Sequence, residues 1–374
     1  MLSKLVSSFI RLFLLGIFFI FLFFPELAGI SFVYPLAPLS DSLFIRCCKL
    51  AFWVLVSVEL LRCFYYGVVK AKKKGAIANL LTVIFPVALF LIFLEAVFMF
   101  VPQSHEGVLS KASQIWWQKY WKPVNSLGYR DVEPVPAAGK KQVLVIGDSF
   151  SAGHGLKHTS ERFSNLLGEK LGDGYEVRNL GVSGSDSGDE AKRLLEYPVK
   201  PDAIVLQYFP NDIERVAQAN GLKITGGQPF DDIGRVAHQV VSRLYLPNFI
   251  YWQLPHAQFS TFDEFVSSAY SDSTVLKAHF ADLSKIISYG DSTGAEIYAV
   301  FVPFLFQLDK SEGYTRPVAG FLREKGVKVV NVNDEIAAIP EKERIVGRND
   351  GHAGAAVNSV IADKLYAAFK GNPK

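Results

Sequence analysis

The nine residues VLVIGDSFS, at positions 143–151, decide the fold class that the sequence predicts. Four apolar residues run up to Gly147, which is typical of a strand buried inside a sheet. The polar residues Asp148 and Ser149 follow directly, where such a strand would end. Turns often contain Gly, Asp and Ser for backbone reasons, so this segment alone is weak evidence for a functional site. It predicts a buried strand that ends in a polar turn.

Strand-like and helix-like segments alternate on the C-terminal side of this strand. Further strands are predicted at 176–180, 203–208, 297–301 and 328–332, and helices at 160–171, 189–197, 274–289, 317–325 and 353–369. The alternation predicts an α/β domain, in which helices cover both faces of a parallel sheet. Ligands of such sheets bind beyond the carboxyl ends of the strands.

The composition divides the 374 residues into three regions. Residues 1–101 are very apolar, residues 102–140 are a polar connector with prolines at 123, 134 and 136, and residues 141–374 have the composition of a globular domain. Within the last region, residues 213–273 are expected to form an insertion that shapes a substrate surface. A net charge of +3 gives no indication of a nucleic-acid partner. All three cysteines lie in the apolar region, so the globular region can hold neither a disulfide nor a cysteine-ligated zinc ion.

Three apolar stretches, near residues 9–24, 50–69 and 76–101, predict about three transmembrane helices. The first lacks a clean small-x-small cleavage site after it, so we expect a retained helix rather than a signal peptide. The basic run at 70–74 predicts a cytoplasmic loop, which places the residues after Val101 outside. The expected location is the inner membrane, with the globular domain facing the periplasm or the outside.

Ionisable and aromatic residues occur in and after these stretches. Glu59 and Arg62 are three residues apart and are expected to pair on one helix face. Glu95 is a candidate for function, because a charge inside a membrane is costly. The aromatic run at 116–121 either rests at the membrane interface or packs on the protein, and the sequence leaves both open.

Three further segments combine the residue types of an acyl-transfer site with the first one. They read NLGVSG at 179–184, FPND at 209–212 and NDGH at 349–352. Serine is a poor nucleophile until a base takes its proton, and histidine has a suitable pKa for this. An acidic residue must orient the imidazole, and fixed donors must stabilise the oxyanion. The four segments together contain all of these groups.

The candidate catalytic residues are Ser149 as nucleophile, His352 as base and Asp350 as the orienting acid. The oxyanion hole would consist of the backbone N–H groups of Ser149 and Gly184 and the side-chain amide of Asn211. Loss of one such donor typically costs about 3 kcal/mol of transition-state stabilisation.

The four segments, with GDSFS at 147–151 as the first, resemble the blocks of the SGNH hydrolase family, also called GDSL esterases, over roughly residues 141–370. The resemblance implies a three-layer α/β/α, flavodoxin-like domain, a Ser–His–Asp triad, and ester hydrolysis or acyl transfer without a metal or other cofactor. There are two departures. Phe209 stands where the third block usually begins with glycine, and Asn349 stands where the family has its acid. Asp350 is therefore the expected acid, and the alternative is a Ser–His dyad oriented by a backbone carbonyl.

No metal site is expected from the histidines nearest the nucleophile. His154 and His158 are four residues apart, a spacing that binds metal on a helix, but Gly153 and Gly155 argue against a helix there. The glycine-rich segment at 181–188 lacks the lysine of a phosphate-binding loop, so nucleotide binding is not expected either.

The expected function is removal or transfer of a small acyl group, with acetyl favoured, on an envelope or exported polysaccharide. The polysaccharide follows from the resemblance and the membrane location alone, since membrane-anchored members of the family commonly modify glycans. Expected partners are the lipid bilayer, an acylated glycan or other ester substrate, and a membrane polysaccharide-synthesis complex. The alternatives are a lipid esterase or thioesterase, and a non-catalytic glycan-binding component of a polysaccharide assembly complex.

Overall fold

The computed structural model of this chain describes residues 2–24, 42–70, 75–104, 110–135, 138–224, 230, 233–254, 258–306, 308–347 and 350–371. The helices are α1 (Leu2–Phe23), α2 (Leu43–Phe64), α3 (Ala76–Phe98), α4 (Lys111–Tyr120), α5 (Ser149–Ala152), α6 (Phe163–Leu171), α7 (Ser187–Glu196), α8 (Glu214–Ala219), α9 (Arg235–Arg243), α10 (Tyr245–Trp252), α11 (Gln258–Ser271), α12 (Ser273–Thr293), α13 (Leu308–Glu324), α14 (Asn333–Ala338), α15 (Glu341–Arg344) and α16 (Ala355–Phe369). The strands are β1 (Lys141–Ile146), β2 (Tyr175–Asn179), β3 (Ala203–Tyr208), β4 (Glu296–Phe301), β5 (Lys328–Val330), β6 (Ile345–Gly347) and β7 (Asp350–Ala353).

The chain forms two compact units. The first contains Met1–Trp117 and Phe230–Leu254, and the second contains Gln118–Pro229 and Pro255–Lys374. The sequence placed a connector at 102–140, whereas the observed division falls inside α4. Phe230–Leu254, which is part of the insertion expected at 213–273, therefore belongs to the first unit with the apolar helices. In sequence, this segment interrupts the second unit.

The first unit contains the long apolar helices. Among the residues that the structure describes, two helices are long and apolar enough to cross a membrane, Ser3–Phe23 and Ala78–Phe98. The second of the three predicted spans corresponds to α2, which begins at Leu43 and has 22 residues. It carries four charged residues, Arg46, Lys49, Glu59 and Arg62. The basic run at 70–74 lies mostly outside the described residues.

Charged and aromatic residues of the first unit have partners within it. Arg11 of α1 donates from Nε to Glu59 Oε1 at 2.6 Å, whereas Arg62 Nη1 lies 3.8 Å from the same oxygen. The main partner of Glu59 is therefore on another helix, and the expected pair with Arg62 is secondary. Trp116 is buried, so at least this residue of the aromatic run packs on protein.

The second unit is built on a five-stranded parallel sheet in the order β2-β1-β3-β4-β5. This is the flavodoxin-like order of doubly wound sheets. Adjacent strands β1 and β3 are in register, with Ile146 beside Leu206. The predicted α/β fold class is confirmed.

Helices cover both faces of this sheet. Leu144 and Ile146 of β1 point into one core, which includes residues of α7 and α12, and Val143 and Val145 point into the other, which includes residues of α6 and α16. Side chains of a strand alternate between its faces, and a central parallel strand is buried on both. Because of this, β1 and β3 are recognisable in the sequence as short apolar runs without a polar face.

The predicted helices differ from the observed ones mainly at their N-terminal ends. α6 begins at Phe163 because Arg162 has extended backbone angles. α13 begins nine residues earlier than predicted and accommodates Pro317 inside it. α16 begins at Ala355 because the preceding residues form β7, which pairs antiparallel with β6.

Candidate active site

Ser149 begins a one-turn helix, with two residues between it and the end of the interior strand β1. Asp148 caps this turn, since its Oδ1 accepts the Phe150 N–H at 2.9 Å. Gly147 makes the sharp entry to the turn possible, because a Cβ there would lie 2.3 Å from Ser151 Oγ. The turn ends at Gly153 in the left-handed region, with φ 73°. Ser149 is thus held at the carboxyl edge of the sheet by a turn that allows little backbone freedom.

The structure brings Ser149, His352 and Asp350 into one chain of hydrogen bonds. His352 Nε2 lies 2.8 Å from Ser149 Oγ, and its Nδ1 lies 2.5 Å from Asp350 Oδ1. The same Asp350 oxygen accepts the His352 backbone N–H at 3.1 Å. The Asp350 carboxylate therefore lies where the group that orients the imidazole is expected, and its role as the acid stays a prediction. Asn349 lies outside the described residues.

His352 lies in the short strand β7, so the helix predicted over 353–369 does not begin directly after it. Gly354 is the N-cap of α16. Asn358, one turn into α16, donates from Nδ2 to the carbonyls of Ala353 and Gly354 at 3.1 and 3.0 Å. Its Oδ1 accepts the Phe163 N–H of α6 at 2.9 Å. One buried amide thus joins the strand that carries the histidine to two helices.

Gly184 and Asn211 lie in the turns that follow β2 and β3, the two strands that flank β1. Because these strands are parallel, both residues lie at the same edge of the sheet as Ser149. Gly184 is exposed and has φ 77°, a conformation that favours glycine. Asn211 lies in the 3₁₀ turn Pro210–Ile213 and is half-buried. Their role as oxyanion donors stays a prediction.

A second histidine, His154, lies beside the triad, and the sequence did not indicate it. Its ring stacks on that of His352 with centroids 4.1 Å apart and planes at 25°, and its Nε2 lies 3.6 Å from Asp350 Oδ2. His154 is 3% exposed, and burial, with the nearby His352, lowers its pKa to about 3. The ring is therefore neutral at ordinary pH. Its position depends on the left-handed turn at Gly153, which sequence spacing alone cannot place.

His154, Asp350 and His352 offer nitrogen and oxygen atoms that all lie within 4.8 Å of one another, a grouping that could hold a metal ion. However, His352 Nδ1 and Asp350 Oδ1 already bind each other at 2.5 Å. In the described geometry the Asp350 carboxylate is hydrogen-bonded to His352, and a metal ion that used both residues as ligands would have to break that hydrogen bond.

Three phenylalanines form an aromatic wall beside the triad: Phe150, Phe209 and Phe304. The centroid of the Phe209 ring lies 4.3 Å from that of Phe150 and 5.2 Å from that of Phe304. The centroids of the Phe150 and His352 rings are 5.2 Å apart. Phe209 therefore packs against the ring of Phe150, the residue that follows Ser149.

Three buried carboxyl groups lie behind the nucleophile turn, on Asp148, Glu190 and Asp212. Burial raises the pKa of each, and the pKa of Glu190 is raised further by Asp148 and that of Asp212 by Glu190. Within the described residues, neither Glu190 oxygen has a hydrogen-bond partner. Gln207 Oε1 accepts from Ser151 N–H and Oγ at 3.0 and 2.9 Å, which ties this buried region to the turn of Ser149.

No protein-family model matches the chain, and no curated protein matches it. Solved structures do match, each over about three fifths of this chain. TesA is 18% identical over 62% of this chain and 99% of its own, with a TM-score of 0.38. A lipolytic protein of the G-D-S-L family from Desulfitobacterium hafniense is 12% identical over 62% and 99%, with a TM-score of 0.38. A carbohydrate acetylesterase family member from Sinorhizobium meliloti is 13% identical over 62% and 98%, with a TM-score of 0.35.

Proposed function

We propose that this chain is a serine esterase or O-acyltransferase that forms an acyl-enzyme on Ser149. The observation that carries the proposal is the hydrogen-bond chain from Ser149 Oγ through His352 to Asp350, at 2.8 and 2.5 Å. A hydroxyl, an imidazole and a carboxylate in this order are the groups that nucleophilic acyl transfer requires.

The first half of the reaction forms the acyl-enzyme. His352 Nε2 takes the proton of Ser149 Oγ as that oxygen attacks the carbonyl carbon of the ester. The Asp350 carboxylate stabilises the imidazolium that results. When the tetrahedral intermediate collapses, the bond to the leaving alcohol breaks and His352 returns the proton to that alcohol.

The second half releases the acyl group. His352 deprotonates either water or a sugar hydroxyl, which attacks the acyl-enzyme and frees Ser149 with its proton restored. Hydrolase and transferase therefore share the same residues and differ only in the acceptor. In both halves, the Ser149 and Gly184 N–H groups and the Asn211 amide would donate to the oxyanion.

The acyl group is acetyl and the acceptor or substrate is an envelope or exported polysaccharide in this proposal. The aromatic wall supports a small acyl group, because the large Phe209 ring packs on Phe304 and on Phe150, which follows Ser149 in the chain. Two apolar helices of membrane-spanning length support a location at a membrane. In this proposal it is the inner membrane, with the second unit outside, because the basic run at 70–74 favours a cytoplasmic loop between the second and third of three spans. A polysaccharide-synthesis complex would be the partner there.

Turnover of p-nitrophenyl acetate by the purified full-length chain tests the chemistry. We expect Ser149→Ala to abolish turnover, and Asp350→Asn to lower kcat by about 10³–10⁴-fold because the imidazole loses its orienting charge. Ser160→Ala is the matched control, since Ser160 is an exposed serine of the same unit, whereas Ser149 is buried. Equal rates for wild type and Ser149→Ala would exclude the enzyme and leave the glycan-binding alternative. Full activity of Asp350→Asn would exclude its role as the acid.

The acceptor requires a separate experiment. Cells that lack the wild-type chain are complemented with either wild type or Ser149→Ala, and surface glycans are compared by mass spectrometry. We expect O-acetylation to differ between the two strains. Identical glycans, together with an active purified enzyme, would point to a lipid ester or thioester substrate instead.

A further inference from the structure

The exposed side of helix α9 contains an apolar sector. Val236 is 80% exposed and Val240, one turn later, is 43% exposed, with Ala237 exposed beside them. Arg235 and Gln239 form the neighbouring exposed polar sector. A helix on the surface of a soluble domain has its apolar stripe against the core. The exposed apolar sector of α9 therefore indicates an apolar surrounding on that side.

The following helix also leaves aliphatic side chains outside. Ile250 is 51% exposed and Leu254, just after α10, is 57% exposed. The aromatic residues Tyr245, Tyr251 and Trp252 of the same segment are buried. The aromatic side chains of the segment are therefore packed against protein, whereas Ile250 and Leu254 remain exposed.

The charge of the segment has one sign. Residues 233–254 contain Arg235 and Arg243, and no aspartate or glutamate. Basic residues on the polar side of an amphipathic helix are typical of segments that lie on a membrane surface, where they meet anionic headgroups.

The segment is fixed to the end of a helix that is long and apolar enough to span a membrane. Glu95, in the last turn of α3, accepts the backbone N–H groups of Tyr245 and Leu246 at 2.8 Å each, which satisfies the first turn of α10. Next to it, the rings of Phe98 and Phe249 lie 4.4 Å apart. The end of a spanning helix is where the membrane interface lies. This contact also gives Glu95 a structural role.

We infer that residues 235–254 are an in-plane membrane anchor, which inserts its exposed aliphatic side chains into a bilayer that contains anionic phospholipid. Val236 and Val240 lie among the acyl chains, and Arg235 lies at the level of the phosphates. The inference concerns the first unit alone and is independent of the esterase proposal.

Site-directed spin labelling of the full-length chain in lipid nanodiscs tests this anchor. The three native cysteines are replaced by serine, and single cysteines are introduced as Val236→Cys and Val240→Cys. Arg235→Cys and Gln239→Cys are the matched controls, because these positions are exposed on the polar side of the same helix. Collision rates with oxygen, which partitions into lipid, and with a water-soluble nickel chelate are measured for each label.

In discs of phosphatidylcholine with phosphatidylglycerol, we expect oxygen to dominate at Val236 and Val240 and nickel to dominate at the two controls. Nickel access at the valines equal to that at the controls would overturn the proposal, since the helix would then lie in water. Low access of both reagents at the valines would also overturn it, since protein would cover them. An identical pattern in discs of phosphatidylcholine alone would overturn the role of anionic headgroups.

Discussion

At the scale of single residues, His352 has a third neighbour besides Ser149 and Asp350, namely the stacked ring of His154. An imidazole that hydrogen-bonds at both nitrogens can still rock about these bonds. The stacked ring of His154, 4.1 Å away, removes the space for that motion on one side. His154 makes no hydrogen bond to Ser149 Oγ, and we regard it as a positioning residue.

We expect His154→Ala to lower kcat by about 10²-fold with little change in KM, because a displacement of the base by about 1 Å has an effect of this size. His154→Phe retains the stacked surface and should restore most of the loss. Because the pKa of His154 is about 3, neither variant should create or remove an inflection between pH 5 and 8 in kcat/KM. Ester kinetics across that pH range check this. Equal losses for the two variants would contradict a role through stacking.

Phe209 stands where the family that the sequence resembles usually has glycine, and we expect its ring to limit the size of the acyl group. Replacement of Phe209 by glycine should open the space beside Ser149. We expect the ratio of kcat/KM for p-nitrophenyl butyrate to that for the acetate to rise roughly tenfold or more, since each methylene in an apolar pocket contributes about 1–3 kcal/mol. Leu195→Gly, at an exposed position, is the control. An unchanged ratio would mean that the wall does not limit the acyl group.

Ser149 and His352 could be predicted from the sequence, because each stands in a short polar segment next to an apolar run. Residues whose role depends on the geometry of a turn could not. His154 has no such signal, because only the left-handed turn at Gly153 brings its ring back to His352. Gln207 is hidden in an apolar strand, and its contacts to the nucleophile turn appear only in three dimensions.

At the scale of elements, strand β7 is held in place by one amide in addition to its pairing with β6. Asn358 makes three buried hydrogen bonds to backbone groups of Ala353, Gly354 and Phe163. We expect Asn358→Ala to lower the free energy of unfolding by about 2–3 kcal/mol, because buried backbone groups lose their partners. The kcat for ester hydrolysis should fall too, since His352 lies in β7. Urea unfolding and kinetics of the same preparation check both, and a loss of stability at full kcat would show that β7 is held otherwise.

The elements that the sequence predicted best are the strands buried on both faces. β1 from Val143 to Ile146 and β3 from Ala203 to Leu206 are apolar throughout, and burial on both sides imposes that pattern. β7 reads DGHA and has no strand pattern, because it is held by pairing with β6 and by Asn358 rather than by apolar burial. Helix N-termini were displaced where extended residues, such as Arg162, interrupt a helical pattern.

At the scale of the whole molecule, the division into two units was only partly predictable. Composition separates the apolar N-terminal region from the globular region, and this boundary is close to the observed one at Trp117. The return of Phe230–Leu254 to the first unit rests on contacts such as that between Glu95 and Tyr245, 150 residues apart. No local pattern encodes a contact at that separation.

The buried carboxyl groups behind the site predict how the stability of the molecule depends on pH. A carboxyl whose pKa is raised by folding binds its proton more tightly in the folded state, so its contribution to stability is lost as the pH rises through the folded pKa. For Glu190 this loss begins above about pH 4.5, its ordinary pKa. We therefore expect Glu190→Gln to raise the thermal midpoint relative to wild type increasingly between pH 5 and 9, as measured by differential scanning fluorimetry in detergent. A constant difference across this range would contradict the assignment.

The central claim is that Ser149 is a nucleophile activated by His352. Labelling of the full-length chain with a fluorophosphonate probe, followed by peptide mass spectrometry, tests it most directly. We predict one adduct, on the peptide that contains Ser149, with no adduct in Ser149→Ala and labelling slowed by orders of magnitude in His352→Ala. An unlabelled wild-type chain, or an adduct that survives in Ser149→Ala, would contradict the claim.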